Sequence, residues 1–534
     1  MLTLSAPLVP PPQAPERDVA WQAAAERVLN CWLRETGHNV AGESITLVDG
    51  RSISVAVVHR SAIGHHRFGE ITERTSQGRH RPITPQDLCR CLTRDVALRQ
   101  TKTAVDPLTD ALMGEIENSV RKTAQFLRHA RQRAAADAPA PGSTLPRSTD
   151  ANDLLRECEQ ALVFGHAMHP TPKASEGFTD DDLARYAPEM GAAFTLHALS
   201  LDGAPLPCHP WQASHLQRDP SMDALVRSGR LRWLGPQGPE VWPTSSVRTV
   251  YAPQTNRFIK LALQIRITHY WRLNPTEHVQ RSLAVSAALD RIPAAETLTV
   301  LRDRSIDQIA LPSALAEQLN TLHRDGPPRH LPPPVVVAAL LEPCPVGGPS
   351  RLLRLVRESG ADAADWLSRY LDICLAPVLE LFVEHGVSLE AHAQNALLCV
   401  QDGWPAHLLV RDLEGGALVD GTPACAGLAS DSPARYDAET AWRRLCYYFF
   451  VNHLGNLVAA LAADTATPER ALWAVVSDAM QRLACRGGAW ATACNRLLQA
   501  PTLPAKANLT SRLLDLGERP RYVQIPNPLR SVNP

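Results

Sequence analysis

Residues 389–416 read LEAHAQNALLCVQDGWPAHLLVRDLEGG, with two apolar runs, ALLCV and AHLLV, on either side of QDGWP. An Asp-Gly pair between two apolar runs is a strong signal for a β-hairpin. If the hairpin is centred between residues 403 and 404, Asn395 lies directly opposite Asp412. The stretch therefore predicts a buried hairpin whose polar side chains gather at its open end, within an α+β protein.

The polar residues at this open end suggest a nucleotide site. His392, Gln394 and Asn395 precede the first strand, and Asp412 and Glu414 follow the second. An imidazole, two amides and two carboxylates are suitable ligands for Mg²⁺ and a nucleotide. A one-residue slip in the pairing would turn these side chains to the opposite face. A surface hairpin with exposed polar ends is the alternative interpretation.

A second polar cluster occurs in SSVRTVYAPQTNRFIKLALQIRITHYWR, residues 245–272. Apolar and other residues alternate strictly after Lys260, which predicts one half-buried strand running to residue 268. RTVYA and the turn-like PQTN predict a hairpin that places Ser246, Arg248 and Thr249 beside Lys260. Two fixed cations and hydroxyls on neighbouring strands suit a triphosphate. A sheet with a solvated basic face is the alternative.

The third cluster is GHAMHPTPKASEGF at residues 165–178. Its two prolines remove backbone donors and disfavour helical angles, so the segment is predicted to be a shaped loop. His166 and His169 therefore cannot form a metal-binding pair on one helix face. The loop is expected to present its polar side chains, among them the histidines and Lys173, toward a partner that the loop alone does not identify.

Composition excludes several classes of protein. The 534 residues suffice for about three or four domains. The net charge of −1 gives no overall field that would attract nucleic acid or an anionic membrane. The 12 cysteines form no CxxC pair, which indicates reduced thiols. With no signal-peptide pattern and no run of apolar residues long enough to span a bilayer, a cytoplasmic protein is expected.

Two linker-like segments divide the chain into three predicted domains. The first, at 134–153, is rich in Ala, Pro and Ser, and the second, RDGPPRHLPPP, occupies 324–334. The predicted domains are 1–150, 151–334 and 335–534. The first is expected to be mainly helical from residue 19 to 133, after a disordered Pro-rich tail at 1–16. The third is expected to open with a buried strand, VVVAALLE, at 335–342.

Taken in order, the polar motifs resemble those of a known family. The series comprises GHxxHPxxKxxxGF, CHPWQ, SxRT…K…T…R, EAHAQN, RDLEGG and NHL. Together they resemble the NRPS-independent siderophore synthetases of the aerobactin synthetase type, from about residue 150 to NPL at 527–529. The amino-terminal helical region carries no matching motif. The resemblance implies a cupped-hand arrangement of thumb, fingers and palm domains, a palm distantly like a protein kinase lobe, and a homodimer.

The resemblance also implies a reaction. Enzymes of this family activate a carboxylate with ATP, form an acyl-adenylate and pass the acyl group to an amine or alcohol. The usual acid is citrate or a citrate derivative, and polyamines or amino alcohols are expected acceptors. ATP and Mg²⁺ are the implied cofactors.

By the same resemblance, individual residues receive roles. Those expected to bind ATP are Ser246, Arg248, Thr249, Lys260, His392, Gln394, Asn395 and Asp412. Those expected near the acid are His166, His169, Lys173, Thr268 and Arg272. Asp412 and Glu414 are expected near Mg²⁺. The expected catalytic residues are Lys260, Arg272, His169 and His392. The loop histidines and Lys173 are expected to act as fixed cations toward the acid and the phosphates. His209 is expected to be structural, with a contact to the acid as the alternative, and His453 is expected to pack or cap within its apolar run.

The first motif departs from the family pattern at Ala167, where proline is usual, and at Ser175, where arginine is usual. The identity of the substrate therefore stays open among citrate, a citryl monoamide, α-ketoglutarate and a succinyl acid. A kinase-like phosphotransferase is the main alternative, because Asn395 and Asp412 could equally position Mg²⁺ for γ-phosphoryl transfer. The absence of a Gly-rich phosphate loop and of an HRD-type base weighs against it. A non-catalytic nucleotide-binding partner is a third hypothesis.

Overall fold

The computed structural model describes residues 14–38, 44–75, 78–136, 150–268, 270–307, 311–517 and 519–530. The disordered tail predicted at 1–16 lies almost wholly outside these residues, and the first helix begins at Glu16. Most of the linker predicted at 134–153 also lies outside them. Within the described residues the chain combines helices with several separate sheets, in agreement with the expected mixture of α and β structure.

The amino-terminal region packs helices against a four-stranded antiparallel sheet of order β1-β2-β3-β4. Its elements are α1 (Glu16–Thr36), β1 (Ser44–Thr46), β2 (Ser52–His59), β3 (Arg67–Arg74), β4 (His80–Pro82), α2 (Pro85–Gln100) and α3 (Val105–Ala136). In the buried interior the Trp32 indole of α1 donates a hydrogen bond to Asp95 of α2 at 2.8 Å. The prediction of a mainly helical region was therefore wrong between residues 44 and 82. Two irregularities in the β2–β3 pairing interrupt the period-two pattern that would have revealed the sheet.

The middle region is built on a seven-stranded antiparallel sheet of order β14-β15-β10-β9-β8-β6-β7. Its elements are α4 (Ala151–Glu159), β5 (Ser175–Glu176), α5 (Asp180–Tyr186), β6 (Phe194–Leu201), β7 (Ala204–Cys208), α6 (Pro210–Leu216), α7 (Asp223–Arg227), β8 (Leu231–Pro243), β9 (Thr249–Ala252), β10 (Arg257–Lys260), β11 (Leu263–Ile267), β12 (Tyr270–Arg272), α8 (Thr276–Leu289), β13 (Leu298–Val300), β14 (Asp303–Asp307), α9 (Ser313–Ala316) and β15 (Thr321–Asp325). The predicted hairpin is present as β9–β10, with Thr249 directly opposite Lys260.

The single strand predicted from Lys260 to Thr268 was wrong. β10 ends at Lys260, and β11 begins at Leu263 in a separate three-stranded sheet with β5 and β12. The two residues between them are both buried, so the alternation of buried and exposed side chains fails where the chain crosses from one sheet to the other. Alternation holds within β11, where Leu263 and Ile265 are buried.

The carboxy-terminal region surrounds a four-stranded sheet of order β13-β19-β18-β16. Its elements are β16 (Pro334–Val336), α10 (Val337–Leu341), α11 (Arg351–Ser359), α12 (Ala363–Val383), β17 (Val387–Ser388), β18 (Ala396–Gln401), β19 (Trp404–Val410), β20 (Ala417–Val419), β21 (Arg435–Tyr436), α13 (Ala438–Leu445), α14 (Asn456–Asp464), α15 (Glu469–Ala484), α16 (Gly488–Gln499), β22 (Thr502–Lys506), α17 (Asn508–Leu513) and β23 (Tyr522–Pro526).

Two structural details differ from the predicted division at residue 334. β13 comes from the middle region but pairs in parallel with β19, so this sheet draws strands from both sides of the boundary. The first two residues of the predicted linker, Arg324 and Asp325, belong to β15. The predicted strand at 335–342 is only partly a strand, because β16 gives way to α10 at Val337.

The hairpin at 389–416 is present as β18–β19, but its predicted register was wrong by one residue. Asp402 and Gly403 both have positive φ angles, 51° and 77°, as a type I′ turn requires. The turn pairs Gln401 with Trp404, and a bulge after Cys399 shifts the remaining pairs by one residue. At the open end the amide of Arg411 donates to the carbonyl of Asn395 at 2.9 Å, so Asn395 faces Arg411 rather than Asp412.

One helical run in the described part of the chain, Ala438–Asp464, is long and apolar enough to span a membrane, with a mean hydropathy of 1.3. It is 83% buried within the protein and therefore serves as a core helix here. Its middle, Cys446–Gly455, is a π-helical segment. His453 in this segment is buried, donates from Nδ1 to the carbonyl of Ala391 at 2.8 Å and contacts the Tyr370 hydroxyl. This is the packing role predicted for His453.

Candidate active site

A cavity of about 700 Å³ is lined by residues from all three predicted domains. It brings together every residue to which the sequence assigned a site role. These residues are His166, His169, Lys173, Ser246, Arg248, Thr249, Lys260, Thr268, Arg272, His392, Gln394, Asn395, Asp412 and Glu414. The one-residue error in the hairpin register does not separate them, because Asp412 leaves the strand with a positive φ angle of 69°.

At one end of the cavity, cations and carboxylates are paired. Lys260, whose side chain is 3% exposed, donates to Asp412 Oδ1 at 2.8 Å and also contacts Glu414. Arg248 lies 3.3 Å from Glu414 Oε2, and His278 Nδ1 lies 2.6 Å from Glu414 Oε1. Burial acts to raise the pKa values of Asp412 and Glu414, but the nearby cations hold both below their usual range. Both carboxylates are therefore ionised at neutral pH.

Arg324 completes this network and was missed by the sequence analysis. Its Nε donates to Asp303 Oδ1 at 2.7 Å, and its Nη2 donates to Asp412 Oδ1 at 3.3 Å. Despite desolvation, Asp303 and Asp412 raise the pKa of Arg324, so the guanidinium stays charged. The residue was missed because it begins a Pro- and Gly-rich segment that was interpreted as a linker.

The turn that precedes β9 carries Ser246 and Arg248 into the cavity. Val247 between them has a φ of 65°, a strained conformation for a β-branched residue. Ser246 Oγ accepts a hydrogen bond from the amide of Thr249 at 3.3 Å, and Arg248 donates to Asn274 Oδ1 at 2.6 Å. Strain held in place by such bonds is typical of functional turns.

At the adjoining end of the cavity, within electrostatic reach of Arg248 and Glu414, the Arg272 guanidinium forms no ion pair with any carboxylate of the described residues. Its Nη2 donates to the carbonyl of Ile267 at 3.1 Å and lies 3.3 Å from the Thr268 hydroxyl. Its Nε is buried and makes no hydrogen bond to another described residue. Desolvation, reinforced by Arg248, lowers the pKa of Arg272 to about 10, so it remains a cation at neutral pH. A partly buried guanidinium whose Nε lacks a hydrogen-bond partner among the described residues suits an anionic ligand.

The loop at 165–178 lies against the cavity as predicted, but its histidines are not cations. Nδ1 of His166 accepts from the amide of Met168 at 3.0 Å, and Nδ1 of His169 accepts from Thr171 at 3.1 Å. Desolvation lowers the pKa of His166 to about 3, although its ring is exposed to the cavity. A neutral imidazole that accepts at Nδ1 is not a fixed charge, and Nε2 of His166 already lies 2.9 Å from the side-chain nitrogen of Asn452.

Lys173 also departs from the expected free cation, and His392 is a further neutral imidazole. His392 Nδ1 accepts from the amide of Asn395 at 3.3 Å, and desolvation lowers the pKa of His392. Lys173 forms a largely buried ion pair with Glu189. The loop charge predicted at Lys173 is therefore already compensated within the protein.

A further wall of the cavity comes from parts of the chain that carried no predicted site residue. Arg444 donates to Glu390 Oε1 at 2.8 Å, and Lys506 donates to the Tyr448 hydroxyl at 3.1 Å. Tyr448 belongs to the run YYFFVNHL, which was treated as core because nearly every residue in it is apolar or aromatic. Lys506 gave no signal, since it ends a short strand far from any recognised motif.

Asp412 and Glu414 are chemically suited to Mg²⁺. Among the described residues no group of three or more His, Cys, Asp or Glu side chains forms a metal site. Mg²⁺ commonly takes only one or two carboxylates and completes its coordination with phosphate oxygens and water. Two ionised carboxylates beside the cations Lys260, Arg248 and Arg324 fit that requirement.

Comparisons with known proteins agree with this geometry. The IucA / IucC family model matches residues 154–204 and 200–342, and a model described as ferric iron reductase FhuF-like transporter matches 364–521. The L-2,3-diaminopropanoate–citrate ligase of Staphylococcus aureus is 31% identical, over 95% of this chain and 96% of that protein. A rhizobactin siderophore biosynthesis protein of Rhizobium meliloti is 29% identical, over 93% and 94% of the two chains.

A solved structure matches the fold. The ATP-bound aerobactin synthetase IucA of Klebsiella pneumoniae superposes with a TM-score of 0.82 at 24% identity, covering 95% of this chain and 99% of that one. The sequence relatives extend over nearly the whole chain and include the amino-terminal region, in which no motif was recognised. The chain therefore belongs to the NRPS-independent siderophore synthetase family.

Proposed function

We propose that the protein is an ATP-dependent ligase that adenylates citrate or a citrate derivative and joins the acyl group to an amine or alcohol. One observation carries the proposal. A single cavity holds a charge-paired network around Lys260 and, beside it, the Arg272 guanidinium with no carboxylate partner among the described residues. The first end suits a nucleotide triphosphate and the second suits the carboxylate that it activates.

The phosphates of ATP would bind at the paired end. Ser246, Arg248, Thr249 and Lys260 supply hydroxyls and cations from the β9–β10 hairpin and the turn before it. Phosphate oxygens would compete with Glu414 for Lys260 and Arg248, so binding exchanges one set of anionic partners for another. His392, Gln394, Asn395 and Asp412 would line the rest of the nucleotide.

Mg²⁺, when bound at Asp412 and Glu414, would supply positive charge to the phosphate oxygens. The residues of this chain would do the remaining work of alignment. Arg248 and Lys260 are fixed by short bonds to their neighbours before ATP arrives, so little entropy would remain to be lost.

The acid would bind at Arg272 and Thr268. A planar guanidinium can hold a carboxylate with two parallel hydrogen bonds, which a lysine cannot do. His166 and His169 would contribute neutral rings to the cavity wall near the acid, which avoids the desolvation cost of burying further cations.

The proposed chemistry has two steps. A carboxylate oxygen of the acid attacks the α-phosphorus of ATP, and the bond to pyrophosphate breaks. The nitrogen or oxygen of the acceptor then attacks the acyl carbon, AMP leaves and the acceptor loses a proton. Because the first step brings two anions together, preorganised charge at Lys260, Arg248 and Arg272 would lower its barrier.

The substrate class follows from the relatives and from the cavity. One relative is named as a ligase of L-2,3-diaminopropanoate and citrate, which supports citrate as the acid and an amine as the acceptor. We place residues 1–150, 151–334 and 335–534 as thumb, fingers and kinase-like palm of a cupped hand. We further propose a cytoplasmic homodimer, which light scattering on purified protein would test.

The reaction type is tested by incubating the protein with ATP, Mg²⁺, citrate and hydroxylamine. AMP, pyrophosphate and citryl hydroxamate are the expected products, and omission of citrate should abolish all three. ADP with a phosphorylated acid would instead identify a kinase-like phosphotransferase. Tight ATP binding without turnover on any of the candidate acids would identify a non-catalytic nucleotide-binding protein.

A further inference from the structure

A closed ring of four residues lies behind the nucleotide-facing wall of the cavity. We call it the Glu159 ring; its members are Glu159, Ser245, Gln394 and Arg411. Arg411 binds both carboxylate oxygens of Glu159, with Nη2 to Oε2 at 3.1 Å. The same Nη2 donates to the carbonyl of Gln394 at 3.1 Å.

The remaining two bonds close the ring. The side-chain amide of Gln394 donates to the carbonyl of Ser245 at 3.1 Å. The backbone amide of Ser245 donates to Glu159 Oε2 at 3.0 Å. Four segments that are distant in sequence are thereby joined through one buried carboxylate.

Each member of the ring except Glu159 adjoins a residue of the proposed nucleotide site. Ser245 precedes Ser246, Gln394 precedes Asn395, and Arg411 precedes Asp412. The ring therefore spans the phosphate-binding turn and both strands at the open end of the hairpin. These segments approach the nucleotide from different sheets, so no single element fixes their separation.

Glu159 itself is 0% exposed and does not line the cavity. The Arg411 guanidinium is also buried, and its carbon lies 5.4 Å from the ring centre of Phe258 on β10. Burying such a pair contributes little net stability compared with apolar residues of the same size. The pair instead constrains geometry, because two parallel hydrogen bonds in a water-free interior allow only one arrangement of Arg411 and Glu159.

We propose that Glu159 is a positioning residue that sets the distance between the phosphate-binding turn and the nucleotide-binding end of the hairpin. It acts through Arg411 and Ser245 and does not touch the nucleotide. The inference rests on the proposed nucleotide site but not on whether AMP or ADP is released. It also assigns the side-chain nitrogen of Gln394 to the ring instead of to the nucleotide.

The test compares Glu159→Gln with wild type in ATP affinity and in steady-state turnover. Glutamine has nearly the same shape as glutamate, but its NH₂ group must face an N–H donor of either Arg411 or Ser245. At least one hydrogen bond of the Glu159 ring is therefore lost. Misplacement of reacting groups by about 1 Å can cost about 100-fold in rate. We expect kcat/KM for ATP to fall about 10- to 100-fold, with KM for the acid, measured at saturating ATP, within about twofold of wild type.

A matched control separates positioning from general stability. Asp95→Asn removes a buried carboxylate that accepts from Trp32 and Arg99 in the amino-terminal region, outside the cavity. It should lower Tm and leave KM for ATP unchanged. Arg411→Lys keeps the positive charge but loses the paired guanidinium donors. Combined with Glu159→Gln, it should cause little further loss of kcat/KM for ATP.

Direct calorimetry of ATP binding to the purified variants makes the test independent of the reaction. Weakened ATP binding in Glu159→Gln, but not in Asp95→Asn, supports the inference even if ADP turns out to be the product. If Glu159→Gln does not fold, Glu159→Asp, which withdraws the carboxylate by one methylene, takes its place. ATP affinity and kcat within about twofold of wild type in the folded variant would overturn the inference, whatever happens to Tm.

Discussion

The two ends of the cavity handle charge in opposite ways. Around Lys260, each cation of the network has a carboxylate partner: Asp412 and Glu414 for Lys260, Glu414 for Arg248, and Asp303 and Asp412 for Arg324. Around Arg272, the described residues supply a carbonyl, a hydroxyl and the ring of Tyr270, but no paired carboxylate. Both parts line one cavity, and the difference between them lies in their side-chain partners.

The contrast indicates which kind of ligand suits each end of the cavity. A balanced network can accept a highly charged ligand that brings its own Mg²⁺, because partners are exchanged without leaving a net buried charge. An unbalanced guanidinium gains most from a ligand that brings one carboxylate and no cation. Under the proposed function, the paired network is the nucleotide end of the cavity and the Arg272 region is its acid end.

The largest effect is expected from breaking the paired end. Lys260→Ala and Asp412→Ala should each reduce kcat about 10²- to 10³-fold, as is typical when a preorganised charge at a reaction centre is removed. Because both act on one transition state, the double variant should lose much less than the product of the two losses. Steady-state assays of pyrophosphate release would measure all three.

Stability gives a second readout for the same variants. Lys260 is buried between two carboxylates, so Lys260→Ala alone should lower the free energy of unfolding by about 3–5 kcal/mol. Removal of Asp412 as well should recover part of that loss. Fully multiplicative losses of rate, with no recovery of stability, would mean that the two residues serve separate sites.

The acid end should respond next most strongly. Arg272→Lys keeps a positive charge but loses the planar pair of donors, so KM for the acid should rise about tenfold or more. KM for ATP should stay within about twofold, because Arg272 takes no part in the paired network. Initial rates with citrate and ATP varied separately would show the split. An equal rise in both constants would place Arg272 among the phosphates.

The sequence located much of this site because chemistry-bearing residues sit at the ends of recognisable strands. The β18–β19 hairpin was found from its Asp-Gly turn, and the β9–β10 hairpin from PQTN. What failed was register: the bulge after Cys399 has no signature in a pattern of apolar residues. The site survived this error because Asp412 turns out of the strand, which the pattern also could not show.

Other residues of the site could not be predicted from the sequence for a different reason. Glu159 and Arg411 are 252 positions apart, and neither lies in a motif that suggests the other. Arg324 stood in an apparent linker. His166 and His392 each accept a hydrogen bond at Nδ1 from a backbone amide, two residues further along the chain for His166 and three for His392. These bonds, which bear on the protonation of the rings, cannot be foreseen before the loop geometry is known. Long-range pairing and burial, rather than residue type, decide all of these cases.

A smaller effect is expected from changing Arg324, which links Asp303 to Asp412. Arg324→Lys keeps a charge near Asp412 but cannot also span Asp303, so Asp412 should be held less firmly. We expect kcat to fall about 3- to 10-fold with KM for the acid unchanged. Asp303→Asn, which loosens Arg324 from behind, should have a similar effect and add little in the double variant. Unaltered turnover in both single variants would remove Arg324 from the network that positions Asp412.

The smallest effect on activity concerns buried histidines outside the charged network. His209 and His453 are fully buried, and desolvation lowers their pKa values to about 3 and about 4. Both pKa values lie below the value of about 6.5 expected in the unfolded chain, so unfolding takes up protons at mildly acidic pH. The stabilisation from each neutral ring is complete above about pH 6.5 and declines as pH falls toward the folded pKa. As the pH falls from about 6.5 to 5, each of these histidines should lower the free energy of unfolding by on the order of 2 kcal/mol.

The variant His209→Asn isolates one of these contributions. His209 caps the amino terminus of α6 by accepting from the amide of Trp211 at 3.1 Å, and asparagine can make the same kind of cap without titrating. Denaturant unfolding of the variant should therefore show a shallower decline in stability between about pH 6.5 and pH 5, by close to one proton, with turnover at neutral pH unchanged. Because His209 lies apart from both ends of the cavity, a change in KM for ATP or acid would show that it contributes to the site. An unchanged slope would show that the His209 ring is already charged in the folded protein.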